Sequence, residues 1–281
     1  GSTDKSLELC RFFENKYNNV QVIDQINGGA SKARYAGIKA SNGEYIGFLD
    51  SDDWVHPQMF EQMYMRALEN DVDIDQCSFI KTDKIDEYII SGNDKIEVTV
   101  VEAAYALRQL LCVEKRQDFN FLLWNKIVKK DIFKKFTFPI EIKSINDVPV
   151  IPRLFYYSKK IAYTEQKFVY YFERNDINNK SIMDSLTNSK SKMIYSHIEA
   201  FNNVADFFKS RDNNFYQAAE YLLALWVCSG IKVKDKPNEL TNIIIRTLSR
   251  HSVRRNPYIP IKYKIYYCFW KVLYCRKIMR K

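Results

Sequence analysis

Three aspartates occupy four consecutive positions directly after an apolar segment. The run YIGFL at 45–49 leads into Asp50, Ser51, Asp52 and Asp53. Carboxylates this close repel one another and are costly to desolvate unless a cation neutralises them. Their oxygens suit Mg²⁺ or Mn²⁺, which commonly share their coordination with water and phosphate. The pattern therefore predicts a site for a divalent cation and a phosphate-bearing ligand. The alternative is a turn in which Asp53 caps the next helix.

The elements around this cluster alternate between helix and strand. Spacing of apolar residues predicts helices at 3–17 and 30–41 and one from Pro57 to about residue 70, with strands at 19–25, 45–49 and 72–80. This order predicts an α/β fold with a mostly parallel sheet and helices on both faces. Ligands of such sheets lie beyond the carboxyl ends of the strands. In an extended chain Asp50 and Asp52 would point the same way. Beyond about residue 182 helical periodicity dominates.

An ordered series of segments resembles family 2 glycosyltransferases of the GT-A fold. GEYIGFLDSDDW at 43–54 is similar to the DXD motif of that family, and GSTDKSLELC and NGGASKARYAGIKAS are similar to the segments before it. Further on, LLWNKIVKKDIFKKFTFP and INDVPVIPRLFYYSKK resemble the acceptor half of bacterial surface-polysaccharide transferases. The resemblance implies a Rossmann-like GT-A catalytic domain at 1–180. A helical region at 181–281 follows, with a basic aromatic tail at 250–281.

The resemblance also implies an activity and a set of site residues. The expected reaction is inverting transfer of a sugar from a nucleotide sugar, with UDP as the expected nucleotide. The acceptor would be a hydroxyl of a glycan or a lipid-linked acceptor in surface polysaccharide synthesis. Asp50 would face the ribose and diphosphate, and Asp52 would ligate Mn²⁺ or Mg²⁺. Asp147 is the candidate base, and it follows Asn146, where the family usually has Glu. The structural alternative for Asp147 is a helix cap.

Further candidates each carry two interpretations. Gly28 and Gly29 either let the backbone approach the nucleotide or form a plain turn. Arg34 either binds the diphosphate or lies on a solvated helix face. Trp124 and Asn146 are assigned to the acceptor side. Trp124 either stacks on a sugar or packs in the core. Arg174 and Lys180 flank a loop that, in the family, closes over the diphosphate.

The positive charge is concentrated at the end of the chain. The net charge is +9, and residues 250–281 carry ten Lys or Arg and no Asp or Glu, so the first 249 residues sum to −1. Aromatic and basic residues at 261–281 predict a helix on an anionic membrane surface. The alternatives are a helix packed on the catalytic domain and a nucleic-acid-binding surface. No nucleic-acid-binding motif occurs elsewhere, so a nucleic-acid partner is not expected.

Composition and termini set the remaining expectations. Six cysteines form no CxxC pair, which indicates reduced thiols in a cytoplasmic protein. The basic aromatic tail adds the expectation of a peripheral position at the inner face of the membrane. No apolar signal sequence opens the chain. The resemblance implies that the first strands of the family, with the acidic residues that hold the nucleoside, precede Gly1. A sheet lacking them would expose an edge and favour a homodimer. The alternative function is a non-catalytic membrane-surface or protein-binding module.

Overall fold

The computed structural model describes residues 1–83, 97–114, 118–172, 190–234, 236–251 and 253–278, with the backbone alone at 273–278. The helices are α1 Ser6–Lys16, α2 Ala30–Ala40, α3 Met59–Glu69, α4 Ala103–Leu110, α5 Asp147–Tyr157, α6 Lys190–Phe208, α7 Asn213–Ile231, α8 Asn238–Arg250 and α9 Ile261–Ile278. The strands are β1 Tyr45–Gly47, β2 Trp54–Val55, β3 Ile74–Thr82, β4 Val98–Glu102, β5 Lys126–Lys129 and β6 Lys160–Phe172. A 3₁₀ helix spans Lys130–Lys135.

The described strands form one mixed sheet in the order β1-β5-β3-β6-β2. β3 runs parallel to β6 along one edge, while β4 and β2 pair antiparallel with the two ends of its other edge. β5 is antiparallel to both β1 and β3. The α/β class is confirmed, but the expectation of a mostly parallel sheet is wrong for the strands described. A buried strand reads as apolar in either direction, so composition does not fix the direction of β4 or β5.

The predicted strand at 19–25 is also wrong. Residues 18–29 have no strand, because no described strand lies beside them to form a ladder. The Val22 N–H instead donates to the Glu14 carboxylate over 2.7 Å. α1 forms close to where it is predicted, yet it buries none of its residues. The segment before α2 is therefore held by local contacts.

The core joins the sheet to a helical C-terminal region, which confirms that part of the prediction. One large apolar cluster runs from Ile46 on β1, through α4 and α5, to α6–α9, and a smaller cluster lies between α3 and the sheet. Asp212 caps α7 by accepting from the N–H groups of Asn214 and Phe215 at 2.8 and 3.0 Å.

Some predictions fall outside the residues that the structure describes. The boundary between 180 and 181 lies there, as do Arg174 and Lys180. Among the helices that are described, none combines the length and the apolar character that a bilayer span requires.

Candidate functional site

The aspartate cluster forms a turn at the end of the segment that follows β1. The N–H of Asp53 donates to the carbonyl of Asp50 over 3.1 Å. The chain therefore reverses here, and the expectation that Asp50 and Asp52 project from an extended chain is wrong. Asp53 does not cap α3, which begins at Met59. Its Oδ1 accepts from the N–H of Phe172 on β6 at 3.0 Å, which fastens the turn to the end of that strand.

The ionised carboxylate of Asp53 lies in an unfavourable environment within this turn. Its Oδ2 is buried with no hydrogen-bond partner among the described residues. Burial raises the pKa of Asp53 to about 6, opposed by the hydrogen bond from the Phe172 N–H, while the charges of Asp52 and Asp50 raise it further. A cation near this turn would relieve the cost of holding three carboxylates together.

Arg34 on α2 connects the aspartate turn to the second candidate segment. Its Nη2 donates to Asp50 Oδ1 at 2.7 Å, and its Nη1 donates to Asp147 Oδ1 at 2.5 Å and to Asn146 Oδ1 at 2.6 Å. The Arg34 side chain is only 13% exposed. Burial disfavours its charge, but the carboxylates of Asp147 and Asp50 outweigh burial and raise its pKa. One guanidinium therefore brings together residues that are 97 positions apart in the sequence.

Asp147 is the first residue of α5 and is mostly buried. Its Oδ2 accepts from the Leu123 N–H at 3.0 Å, and its Oδ1 accepts from Arg34. Asn146, the residue before α5, makes no capping hydrogen bond with its side chain and binds Arg34 instead. Burial raises the pKa of Asp147, although Arg34 and the Leu123 N–H oppose that rise. The capping alternative therefore has no hydrogen bond to support it, and the carboxylate faces α2 and the aspartate turn.

The backbone that presents Asp147 is held in an unusual conformation. Ile145 has φ of +53°, a left-handed conformation that is costly for a β-branched residue. The loop before it is fixed from α2, because the Ser31 hydroxyl donates to the Ile142 carbonyl over 2.6 Å. Nothing in the sequence around Ile145 signals this strain.

Lys126 supports the loop that contacts Asp147. In the sequence it was noted only as part of the segment LLWNKIVKKDIFKKFTFP. Its side chain is fully buried, and its ammonium lies 2.7–3.1 Å from oxygens of Asn120, Leu122 and Asn125. Burial lowers its pKa to about 7, opposed by the charge of Asp147. These contacts fix the loop that carries the Leu123 N–H. The sequence feature that could have indicated a buried Lys126 is a lysine within the largely apolar run LLWNKIV.

Trp124, in the same loop, lies in the core. It is 4% exposed, with its ring stacked on Tyr171 at 5.9 Å and at right angles to Phe79 at 5.0 Å. The packing alternative therefore describes Trp124 in this structure.

Gly28 and Gly29 precede α2, and the two positions differ in how well they would tolerate a side chain. Gly29 has φ of +82°, which favours glycine, and its N–H donates to the side-chain oxygen of Asn27 at 3.1 Å. A Cβ at Gly28 would meet the flexible side chain of Lys32. The turn geometry thus requires Gly29, and the space where a Cβ of Gly29 would lie is open.

The carboxylates of the aspartate turn are the candidate ligands for a divalent cation. No group of three or more His, Cys, Asp or Glu side chains converges in the described part of the chain. The side chain of Asp52 has no hydrogen-bond partner among the described residues, whereas Asp50 is held by Arg34. Because Mg²⁺ is usually bound by one or two carboxylates together with substrate phosphates, Asp52 and the orphaned Asp53 oxygen fit a cation that arrives with a phosphate ligand.

Sequence comparison identifies relatives of the chain. Residues 1–135 match the model of glycosyl transferase family 2. The chain is 29% identical over 184 residues to the uncharacterized glycosyltransferase YibD of Escherichia coli, covering 62% of this chain and 51% of YibD. It is 26% identical over 266 residues to the uncharacterized glycosyltransferase EpsJ of Bacillus subtilis, covering 92% of this chain and 76% of EpsJ. The minor teichoic acid biosynthesis protein GgaB of B. subtilis is 27% identical over 83% of this chain and 25% of GgaB. The chain thus spans about half of YibD and a quarter of GgaB.

Structural comparison gives the fold. The crystal structure of S. aureus TarS 1–349 in complex with UDP-GlcNAc superposes with a TM-score of 0.60 at 17% sequence identity, covering 88% of this chain and 69% of that chain. At this identity the likeness concerns the fold alone. The GT-A fold expected from the sequence is confirmed.

Proposed function

We propose that the chain is a family 2 glycosyltransferase that transfers a sugar from a nucleotide sugar to a hydroxyl of a glycan or lipid-linked acceptor, since residues 1–135 match the model of that family. The observation that carries the proposal is the Arg34 bridge, which holds Asp50 and Asp147 on one guanidinium. UDP is the proposed nucleotide, supported by the UDP-GlcNAc in the TarS complex. A role in surface polymer synthesis is supported by the name of GgaB. The proposed sugar is a hexosyl group, as is the GlcNAc of the nucleotide sugar in the TarS complex.

In the proposed reaction, Asp147 accepts the proton of the acceptor hydroxyl. The hydroxyl oxygen forms a bond to the anomeric carbon while the bond from that carbon to the diphosphate breaks, so the configuration inverts in a single displacement. The hydroxyl proton passes to a carboxylate oxygen of Asp147, and the electron pair leaves with the diphosphate. A carboxylate pKa raised by burial makes Asp147 a stronger base than an exposed aspartate. Each oxygen of Asp147 already accepts one hydrogen bond and keeps a lone pair for the proton.

The donor is proposed to lie between the aspartate turn and the loop before α2. Asp50 would face the ribose and diphosphate, and the backbone of Gly28 and Gly29 would lie beside them. Arg34 would act as the positive group nearest the diphosphate. Asp52 would hold Mn²⁺ or Mg²⁺, which supplies positive charge to the departing diphosphate when bound. Asn146 is proposed to orient Arg34 toward both carboxylates.

The proposed location is cytoplasmic, peripheral to the inner face of the membrane, where a lipid-linked acceptor would be available. α1 has exposed apolar side chains, including Leu9 at 58% and Phe12 at 57%, and β1 is the end strand of the sheet among the strands described. Both surfaces leave room for the homodimer expected from the sequence. Nucleic acid is not a proposed partner.

The first test is the thermal stability of the purified chain with nucleoside diphosphates, with and without Mn²⁺. Ligand at about 100 times its Kd adds about 2.7 kcal/mol, which corresponds to a rise in Tm of about 5 °C or more. We expect the rise to need both UDP and metal, and we expect Asp52→Asn to abolish the metal-dependent part. Asp206→Asn is the matched control, since Asp206 pairs with Arg250 on the helical region. No shift with any nucleotide in the unmodified chain would contradict donor binding.

Transfer is tested by release of UDP from UDP-sugars in the presence of a glycan acceptor. Asp147→Asn keeps the shape of the side chain and an acceptor for the Leu123 N–H, yet it cannot take a proton. We expect a loss of transfer of at least a hundredfold with UDP binding retained. Unchanged transfer would remove Asp147 as the base. Nucleotide-independent binding of a partner protein by an inactive chain would favour the alternative, a non-catalytic binding module.

A further inference from the structure

Helix α9 is apolar on two sides, and the described part of the chain covers one of them. Tyr267 is 1% exposed, and its hydroxyl donates to the Thr247 carbonyl of α8 at 3.5 Å. Tyr263, Tyr266 and Trp270 pack partly against the same core. Lys271 ties the helix down further, because its ammonium donates to the His251 carbonyl over 2.8 Å. The aromatic side of the helix is therefore its attachment to the rest of the chain.

The other side of α9 exposes large aliphatic and aromatic groups to solvent. Ile261 is 76% exposed, Ile265 66%, Phe269 57% and Val272 51%. Their steps of four, four and three residues place them in one stripe along the helix, here called the α9 stripe. A contiguous exposed apolar surface of this kind is costly in water and marks an interaction site.

We propose that the α9 stripe inserts into the headgroup region of an anionic lipid bilayer, with the surrounding lysines on the lipid phosphates. Lys262 and Lys264 flank the stripe, and the segment from 250 onward contains no acidic residue. Cationic side chains beside an apolar stripe match the interface of an anionic membrane, where each lysine adds attraction to the lipid headgroups.

The same charges argue against a second copy of the chain as the occupant. In a two-fold dimer the α9 stripe would face itself, so the lysines of one copy would meet the lysines of the other with no carboxylate between them. Nucleic acid would satisfy the lysines but leave the stripe in water. A bilayer surface satisfies both features.

The inference gives the proposed membrane location a structural basis, and it is tested without donor or acceptor. Its failure would therefore leave the proposed transfer activity untouched. The purified chain is floated with phosphatidylcholine vesicles that contain or lack phosphatidylglycerol. We expect binding to the anionic vesicles that weakens with added salt and little binding to neutral ones.

The decisive variant is Ile265→Ser with Phe269→Ser. Burying one such side chain changes partitioning by roughly tenfold to a hundredfold, so the paired substitution is expected to lower vesicle binding by about a hundredfold or more. The matched control is Met65→Ser with Leu68→Ser on α3, whose residues are 51% and 47% exposed. This control should bind vesicles like the unmodified chain. Tm of both variants verifies that the fold is intact.

A second variant tests the contribution of the lysines beside the α9 stripe. Lys262→Gln with Lys264→Gln should weaken binding to anionic vesicles by about fivefold for each lysine and leave neutral vesicles unaffected. Three outcomes would overturn the inference. They are equal binding by the stripe variant and the unmodified chain, equal loss in the α3 control, and a dimer in solution that the stripe variant alone abolishes.

Discussion

Replacing Arg34 by methionine separates the buried ionic contacts of the site from ordinary surface pairs. Methionine keeps much of the length of the side chain but leaves Asp147, whose side chain is 14% exposed, with the Leu123 N–H as its remaining described hydrogen-bond donor. Removing one partner of a buried ion pair costs about 3–5 kcal/mol. Asp50 is 39% exposed, so water screens its share. We expect a total loss of about 3 kcal/mol, or a fall in Tm of roughly 6–12 °C.

The loss should depend on pH in a defined direction. Because burial raises the pKa of Asp147 above its value in the unfolded chain, its contribution to stability is greatest at low pH and falls as the pH rises through the folded pKa. Arg34 limits that fall by stabilising the ionised carboxylate. The difference in Tm between Arg34→Met and the unmodified chain should therefore be largest at about pH 8 and smallest at about pH 4.

Two further variants decide whether this explanation is right. Arg11→Met removes a pair with the same 2.5 Å separation, Arg11 to Glu14, but Arg11 is 48% exposed, so we expect little change in Tm. Adding Asp147→Asn to Arg34→Met removes both charges and should restore part of the lost stability at about pH 8. Equal effects of Arg34→Met and Arg11→Met, or a difference in Tm that does not vary with pH, would refute the reasoning.

Three other substitutions test the supporting residues by thermal unfolding. Burial lowers the pKa of Lys126 to about 7, so the unmodified chain should gain stability as the pH rises from about 7 to about 10, and Lys126→Met should lose that gain; an unchanged slope would contradict the lowered pKa of Lys126. Asp53→Asn should stabilise the chain by about 1 kcal/mol at about pH 8, after allowance for partial exposure, and have no benefit below about pH 4, because the folded pKa of about 6 makes the ionised form unfavourable; a loss of stability at pH 8 would contradict this. Gly29→Ala should cost about 1 kcal/mol at φ of +82°, while Gly28→Ala, which meets a flexible lysine, should be nearly neutral; equal costs would show that the turn does not depend on the left-handed conformation.

The sequence alone determined the local elements and the chemistry-bearing residues. Apolar spacing located α1, α2 and α3 within a few residues of their ends, since a helix is set by contacts three and four positions apart. The ordered motifs placed Asp50, Arg34 and Asp147 in one candidate site. The resemblance they carry led to the GT-A fold, which the structural comparison confirms.

Only the tertiary structure decided which partners those residues have. The aspartate turn is fastened to Phe172 through Asp53, and the loop before Ile145 is held by Ser31 on α2. The burial of Lys126 likewise follows from the folded chain. The strand directions of β4 and β5 and the missing strand at 19–25 have the same origin, because a ladder needs a neighbour that local pattern does not specify. The sequence marked residues 261–281 as basic and aromatic. Packing decided that the side of α9 with Tyr267 faces the protein and that the α9 stripe faces solvent, because the folded chain supplies a surface to cover one side of the helix.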